Sequence, residues 1–282
     1  MNAIELSHIQ KNFTGFSLQD LSLTVPGGSI CGLVGENGAG KSTTIRILMG
    51  ALRPDGGSAK VLGVDTFSPE FLRVKDDIGV VLDEAYFPEI LNVIQVGNVM
   101  AGTYRNWDKA LYESYLDRFE LPRNKSFSKF SRGMKMKLAI AAALSHHPRL
   151  LVLDEATAGL DPIIRDEVLN IFYEFTREEE HSILISSHIL SDLEKLCDYI
   201  AAIHRGRLLF CQDKDSLLEE YGIFVGTREQ ADSLLPEAVV NREESPYGGV
   251  RALVRRSQVP ETLQLERANV EDIILFMVKG AK

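Results

Sequence analysis

The run Gly35-Glu36-Asn37-Gly38-Ala39-Gly40-Lys41-Ser42 carries the most specific chemistry in this chain. Its spacing fits G-x-x-x-x-G-K-[ST], a loop whose successive backbone N–H groups form a nest for phosphate oxygens. The glycines keep Cβ atoms clear of closely approaching phosphates. A helix opening at the end of the loop adds the positive end of its dipole. In such a loop Lys41 reaches the β- and γ-phosphates, and the Ser42 hydroxyl suits Mg²⁺. The expected nucleotide-binding set is Gly35, Asn37, Gly38, Ala39, Gly40, Lys41, Ser42 and Thr43.

The flanks supply the context the loop needs. Ile30-Cys31-Gly32-Leu33-Val34 is a short apolar run that reads as a strand buried on both faces. Thr43 to Met49 reads as a helix. A second apolar run, Leu150-Leu151-Val152-Leu153, ends in Asp154-Glu155, and open α/β sheets place ligand chemistry at the carboxyl ends of such strands. Asp154 suits a Mg²⁺-linked role and Glu155 a general base that polarises water. Read alone, the two acids could equally be helix-capping residues favoured by the dipole. Ser182-Ile183-Leu184-Ile185-Ser186-Ser187-His188 is another buried-strand pattern. Its His188 could hydrogen-bond a γ-phosphate, or serve the fold alone.

Gly35–Ser42, Phe130-Ser131-Arg132-Gly133-Met134, Asp154-Glu155, Gly159-Leu160-Asp161-Pro162 and His188 occur in this order along the chain. Together they resemble Walker A, the signature, Walker B, the D-loop and the H-switch of ATP-binding cassette (ABC) ATPases, a likeness covering residues 1–214. The resemblance implies that two copies bind two ATP molecules head to tail. Ser131 and Gly133 then act on the nucleotide held by the partner copy. Phe13, in Lys11-Asn12-Phe13, sits where the family carries an aromatic that stacks on adenine; core packing is its plainer alternative. Glu155, His188 and Lys41 are the expected catalytic residues, and ATP and Mg²⁺ the cofactors.

The chain departs from that family at identifiable places. The usual signature is Leu-Ser-Gly-Gly-Gln, whereas here Arg132 replaces a Gly and Met134 a Gln. Arg132 either marks a subtype or imposes a different loop conformation that slows closure. Ile78-Gly79-Val80-Val81-Leu82-Asp83 matches a segment that usually ends in Gln, and a carboxylate is the better Mg²⁺ ligand. The expected metal set is Ser42, Asp83 and Asp154, with nucleotide binding more strictly Mg²⁺-dependent than a Gln would make it.

The implied architecture is α/β: a P-loop core, mainly parallel sheet with helices, plus an antiparallel β subdomain. A helical subdomain is inserted at about 84–147, and a small α+β domain follows at 215–282. Residues 1–82 read as short strands around the P-loop and its helix. Val93–Arg105, Lys109–Phe119 and Asp161–Glu180 read as helices. Gly222–Gly226, Ala238–Val240 and Val250–Val254 read as strands, and Val270–Val278 as a closing helix whose apolar stripe suits core packing better than docking. That tail resembles drug-, bacteriocin- and polysaccharide-exporter ATPases.

Composition narrows the setting. The 282 residues are 45% hydrophobic and 25% charged, ordinary for a globular protein. A net charge of −9 argues against charge-driven binding to nucleic acid or anionic lipid. The sequence has no apolar run long enough for a membrane helix and no signal-like N-terminus. Cys31, Cys197 and Cys211 have no metal or redox spacing and read as reduced packing residues. The expectation is a cytoplasmic subunit, held peripherally at the inner face of the cell membrane by multi-span permease subunits, acting with a second ATPase copy as homodimer or paralogous heterodimer. It makes no direct membrane insertion. The other class weighed, a soluble ABC ATPase acting on ribosomes or DNA, usually carries two cassettes or a long coiled coil.

Overall fold

The computed structural model describes residues 1–83, 87–244, 249–260 and 262–280. In chain order the elements are β1 (Asn2–Phe13), β2 (Phe16–Pro26), β3 (Ile30–Val34), α1 (Lys41–Leu48), β4 (Gly56–Val61), β5 (Val64–Asp65), α2 (Phe71–Val74), β6 (Ile78–Val81), α3 (Val93–Thr103), α4 (Lys109–Arg118), α5 (Arg132–Leu144), β7 (Leu150–Asp154), α6 (Pro162–Phe175), β8 (Ser182–Ser186), α7 (Leu190–Leu196), β9 (Tyr199–His204), β10 (Arg207–Asp213), α8 (Lys214–Glu220), β11 (Tyr221–Gly226), α9 (Arg228–Asp232), β12 (Val239–Glu244), β13 (Val250–Arg255), β14 (Glu266–Arg267) and α10 (Val270–Gly280).

The central sheet has the order β10-β9-β3-β8-β7-β6. β6, β7, β8, β3 and β9 run parallel, and β10 closes one edge antiparallel to β9. Every residue of β3, β7 and β8 is buried, because both faces of the sheet are covered. Alternate side chains divide between two cores. Cys31, Leu33, Leu150 and Val152 pack with α1 and with the first sheet, β2-β1-β4-β5. Ile30, Val34, Leu151 and Leu153 pack with the helices on the opposite side.

The first sheet is longer-stranded than the sequence suggests. β1 has 12 residues and β2 has 11. They pair with each other through the two-residue turn Thr14-Gly15, with Phe13 opposite Phe16. Gly15 at φ 84° supplies the left-handed conformation that such a turn needs. Bulges along the pair absorb the strands' twist.

The inserted helices are set by their caps. Asn92 and Gln95 form a capping box at α3. Asp108 caps α4 and Ser131 caps α5. Gly97 lets α4 close on α3: a Cβ there would lie 2.6 Å from the Tyr112 ring, whose hydroxyl donates to Val93 O at 2.8 Å. α6 stops at Phe175, short of the expected Glu180. Thr176 turns its hydroxyl back to Tyr173 O, and the His181 ring nitrogen meets Phe175 O, so the last turn's carbonyls are already satisfied.

The third sheet, β12-β13-β11-β14, is antiparallel. Val270, Ile273, Ile274 and Phe276 bury α10 in the same core as Leu196 and Leu217. α8 begins at Lys214, and its Leu217 joins that core, so the apolar cluster runs unbroken past residue 214. Cys31 and Cys197 are buried, and Cys211 is partly so.

His146 ties the helical insertion to the sheet. It is fully buried, its ring stacks on Tyr104 at 3.8 Å, and Nε2 lies 3.2 Å from Ile78 O at the start of β6. Burial holds its pKa below the ordinary value. The folded chain therefore keeps His146 neutral while the unfolded chain takes up a proton below about pH 6.5. Stability should fall as pH drops through that value, by at most about 1.4 kcal/mol per pH unit from this group. His146→Phe, which keeps the stack and cannot titrate, should lose that slope in thermal melts at pH 7.5 and 5.5.

Candidate functional site

The carboxyl edge of the central sheet gathers the predicted residues. The loop Gly35–Gly40 follows β3, Asp83 follows β6, Glu155 follows β7 and His188 follows β8. Asn37, Gly38, Gly40, Lys41, Ser42, Thr43, Asp83 and Glu155 line one cavity of about 320 Å³, together with Phe16 and Glu36. Gly35 and Ala39 lie behind this lining. A Cβ on Gly35 would approach Ile203 O to 2.4 Å, so only glycine fits there. Gly40 begins α1 at φ 118°, with no side chain capping the helix. The first amides of α1 thus face the cavity without a side-chain partner, as an anion site requires.

Lys41 is 6% exposed. Its Nζ donates to Gly35 O at 2.7 Å and pairs with Glu155 Oε1 at 3.5 Å. Glu155 lines the cavity, where phosphate oxygens would compete with it for Lys41.

Asp154 and Glu155 do not cap a helix. Asp154 ends β7, buried, with Oδ1 accepting from Ser186 Oγ at 2.5 Å. Glu155 adopts a left-handed φ of 53°, a conformation that costs a non-glycine residue on the order of 1–3 kcal/mol. Its N–H is held there by Ser186 O and Ser186 Oγ, both at 3.1 Å. The twist swings the Glu155 carboxylate between Lys41 and His188, whose Nδ1 lies 2.6 Å from Glu155 Oε2. His188 is exposed, so it is no core histidine. The general-base candidate is thereby oriented on both oxygens. Ser186 was not singled out from the sequence, although a hydroxyl at the end of a buried strand beside Ser187-His188 is a readable signal.

Phe13 stands at the β1–β2 turn, 46% exposed, which excludes core packing. Its ring lies 6.2 Å from Phe16 at an interplanar angle of 26°. It lines a second cavity of about 500 Å³ with Asn12, Phe16, Gln19, Gly38 and Arg205. Phe16 and Gly38 border both cavities. The arrangement provides a flat apolar surface at one end and an amide-and-lysine cradle at the other, and a nucleoside triphosphate has that polarity.

Ser131 and Gly133 line neither cavity. They open α5, with Ser131 Oγ accepting from Met134 N at 3.3 Å, and Ser131 is exposed. Arg132 is the first residue of α5.

The ABC transporter family model matches residues 18–158. The chain belongs to the ABC transporter family. It is 39% identical to the bacitracin transport ATP-binding protein of Bacillus licheniformis, over 68% of this chain and 63% of that one. It is 32% identical to the daunorubicin/doxorubicin resistance ATP-binding protein of Streptomyces peucetius, over 98% of this chain and 92% of the relative. Among solved structures, an ATP-binding subunit of an ABC transporter aligns with a TM-score of 0.70 at 27% identity, over 76% of this chain and 91% of that one. A dimeric ATP-binding cassette in a post-hydrolysis state, bound to ADP and Pi, shares the fold with a TM-score of 0.67 at 19% identity, over 74% of this chain and 98% of that one. The ABC chain is an ATPase that uses ATP with Mg²⁺. The residues fit those cofactors: a nest with open amides, a buried lysine beside it, and Ser42 with the carboxylates of Glu36, Asp83 and Glu155 around one cavity.

Proposed function

We propose that this chain is the nucleotide-binding subunit of an ABC exporter. It hydrolyses ATP in a head-to-tail dimer and drives separately encoded multi-span permease subunits. The observation that carries the dimer is the division of the site. Lys41, Ser42, Asp83 and Glu155 share one cavity, while an exposed Ser131 and a half-buried Gly133 stand apart from it at the start of α5. A second copy facing the first would bring Ser131 and Gly133 to the open side of the phosphate cavity.

In that assembly Glu155 accepts the proton of the attacking water, with its carboxylate aimed by His188 and Lys41. Lys41, His188 and the partner copy's serine offset the charge on the transferred phosphoryl group. Ser42, Asp83 and Asp154 would hold Mg²⁺, which supplies charge neutralisation when bound. Phe13 stacks on the base. The cassette is assigned to 1–214 and an accessory domain to 215–282.

Two observations support a separate permease. Among the described residues no helix is long and apolar enough to cross a membrane. Leu82, Ile90, Ile94 and Val99 are exposed apolar side chains on the segment around Asp83 and on α3, and they suit a helix of the permease; residues 84–86 lie outside the described residues. Relatives named for bacitracin and daunorubicin/doxorubicin support export of an amphipathic peptide, drug, lipid or polysaccharide. The subunit then sits at the cytoplasmic face of the membrane, without insertion of its own.

Gentle solubilisation of native membranes should co-purify a multi-span protein with this chain; ribosomal or DNA-bound proteins in its place would reject the exporter reading. Glu155→Gln should bind ATP, lose roughly 100-fold or more of its turnover, and run as a dimer in size exclusion with ATP. A monomer that hydrolyses normally would remove Glu155 from its role. Asp83→Gln should make ATP binding less dependent on Mg²⁺; calorimetric titrations with and without Mg²⁺ that match the parent chain would remove Asp83 from the metal set.

A further inference from the structure

The three cysteines differ in setting. Cys31 and Cys197 are buried, whereas Cys211, on the edge strand β10, is half-buried. Cys197 belongs to the core on the helical side of the central sheet, and burial pushes its thiol pKa up. Cys211 packs on the opposite core, the one that holds Cys31. The Cys31 thiol hydrogen-bonds Cys211 and holds its pKa below the ordinary value, while the same bond, with burial, pushes Cys31 up. Cys211 also lines a cavity of about 580 Å³ with Phe210, Tyr221, Val240, Arg255 and Met277. A small solute can therefore reach the sulfur whose thiolate form is favoured.

Cys211 sits in a seam that leads to the phosphate loop. β10 packs against β2 of the first sheet, and Cys211 Sγ donates to Thr24 O of β2 at 3.8 Å. That separation leaves no room for a further heavy atom between sulfur and oxygen. Toward the other end of the seam, Arg207 Nε and Nη2 donate to Gln19 Oε1 at 2.9 and 2.6 Å, and Gln19 N donates to Gly206 O at 2.8 Å. Gly206 N in turn donates to Ala39 O of the phosphate loop at 3.0 Å. The loop thus takes its support from the seating of β10 on β2.

We propose that Cys211 is an oxidation site through which peroxide weakens nucleotide binding. The thiolate attacks one peroxide oxygen, and the S–O bond forms as the O–O bond breaks. Sulfur is oxidised, the peroxide is reduced, and the departing hydroxide takes a proton to become water. β9 lies between β3 and β10, so the Cys31 and Cys211 backbones stand two strand spacings apart, about 9–10 Å. A disulfide cannot span that distance without backbone movement, and the product is the sulfenic acid. Its oxygen either enters the seam or turns the sulfur out into the cavity. Both remove the contact with Thr24 and loosen the brace on the phosphate loop. The inference needs only ATP binding, and is independent of the exporter and dimer readings.

The test treats the full chain with hydrogen peroxide. One sample carries a 1,3-dicarbonyl trap for sulfenic acids and goes to peptide mass analysis; a parallel sample without the trap is titrated with fluorescent ATP and Mg²⁺. Cys211 should take up the trap before Cys31 and Cys197. Peroxide should weaken ATP binding by the parent roughly threefold or more, and dithiothreitol should restore it. Cys211→Ser should bind ATP as the untreated parent does and keep that affinity after peroxide. Cys31→Ala, which lacks the thiol donor, should be trapped at Cys211 roughly threefold more slowly; an unchanged rate removes Cys31 from the site. A parent in which Cys211 stays unlabelled, a reading that needs no substitution, overturns the site. Labelling of Cys211 with unchanged ATP affinity overturns the link to the phosphate loop. A loss of affinity that persists in Cys211→Ser arises at other residues, and overturns that link as well.

Discussion

A loop that leaves its amides open for phosphate cannot also use them to hold itself in place. The nest between β3 and α1 meets that constraint by borrowing rigidity from everything around it. β3 is buried on both sides in the middle of the central sheet. Gly35 presses on Ile203 O, and Gly40 lies under Leu18 and Phe16 of the first sheet. Gly206, in the turn between β9 and β10, donates its N–H to Ala39 O at 3.0 Å. The antiparallel sheet is thus a brace for the phosphate loop as well as the platform for Phe13. Ile45, Ile47 and Leu48 anchor α1 from below in the same core.

Charge balance is the second constraint. Glu36, Asp83 and Glu155 line the phosphate cavity, and Asp154 is buried behind Glu155, with Lys41 paired to Glu155. A triphosphate entering this group adds further negative charge, so a divalent cation is a condition of tight binding. The strained backbone at Glu155 belongs to the same arrangement: without the left-handed turn, a strand-end carboxylate would continue along β7 and miss the lysine. Ser186, with its hydroxyl and its carbonyl, holds the turn.

The helical insertion and the C-terminal sheet stand farther from the chemistry and serve it differently. α5 spends most of its length in the core, from Met136 to Leu144, and keeps only its first turn at the surface. Its exposed end is consequently rigid, as the proposed dimer requires of a surface that would meet a partner's nucleotide. The C-terminal sheet shares its apolar core with α7 through α10, and so buttresses the helix that follows His188.

Much of this was legible in the chain itself. The phosphate loop, the two acids at the end of β7 and the short apolar strands are local patterns, because a buried parallel strand must be largely apolar and a nest must be glycine-rich. Caps such as Asn92, Asp108 and Asp161 lie within three residues of the amides they hold, so helix starts were readable to within a residue or two. Lengths were less so. β1 and β2 draw their extent from pairing with each other, and α6 ends where His181 returns to it. The remainder is set by contacts between residues far apart in sequence. Ser186 orients residues about thirty positions earlier, and Gly206 braces the phosphate loop. Spacing along a chain fixes which groups a local turn can present; which carboxylate faces which cation depends on the strand order that brings β3, β7 and β8 side by side, and only the folded sheet decides that.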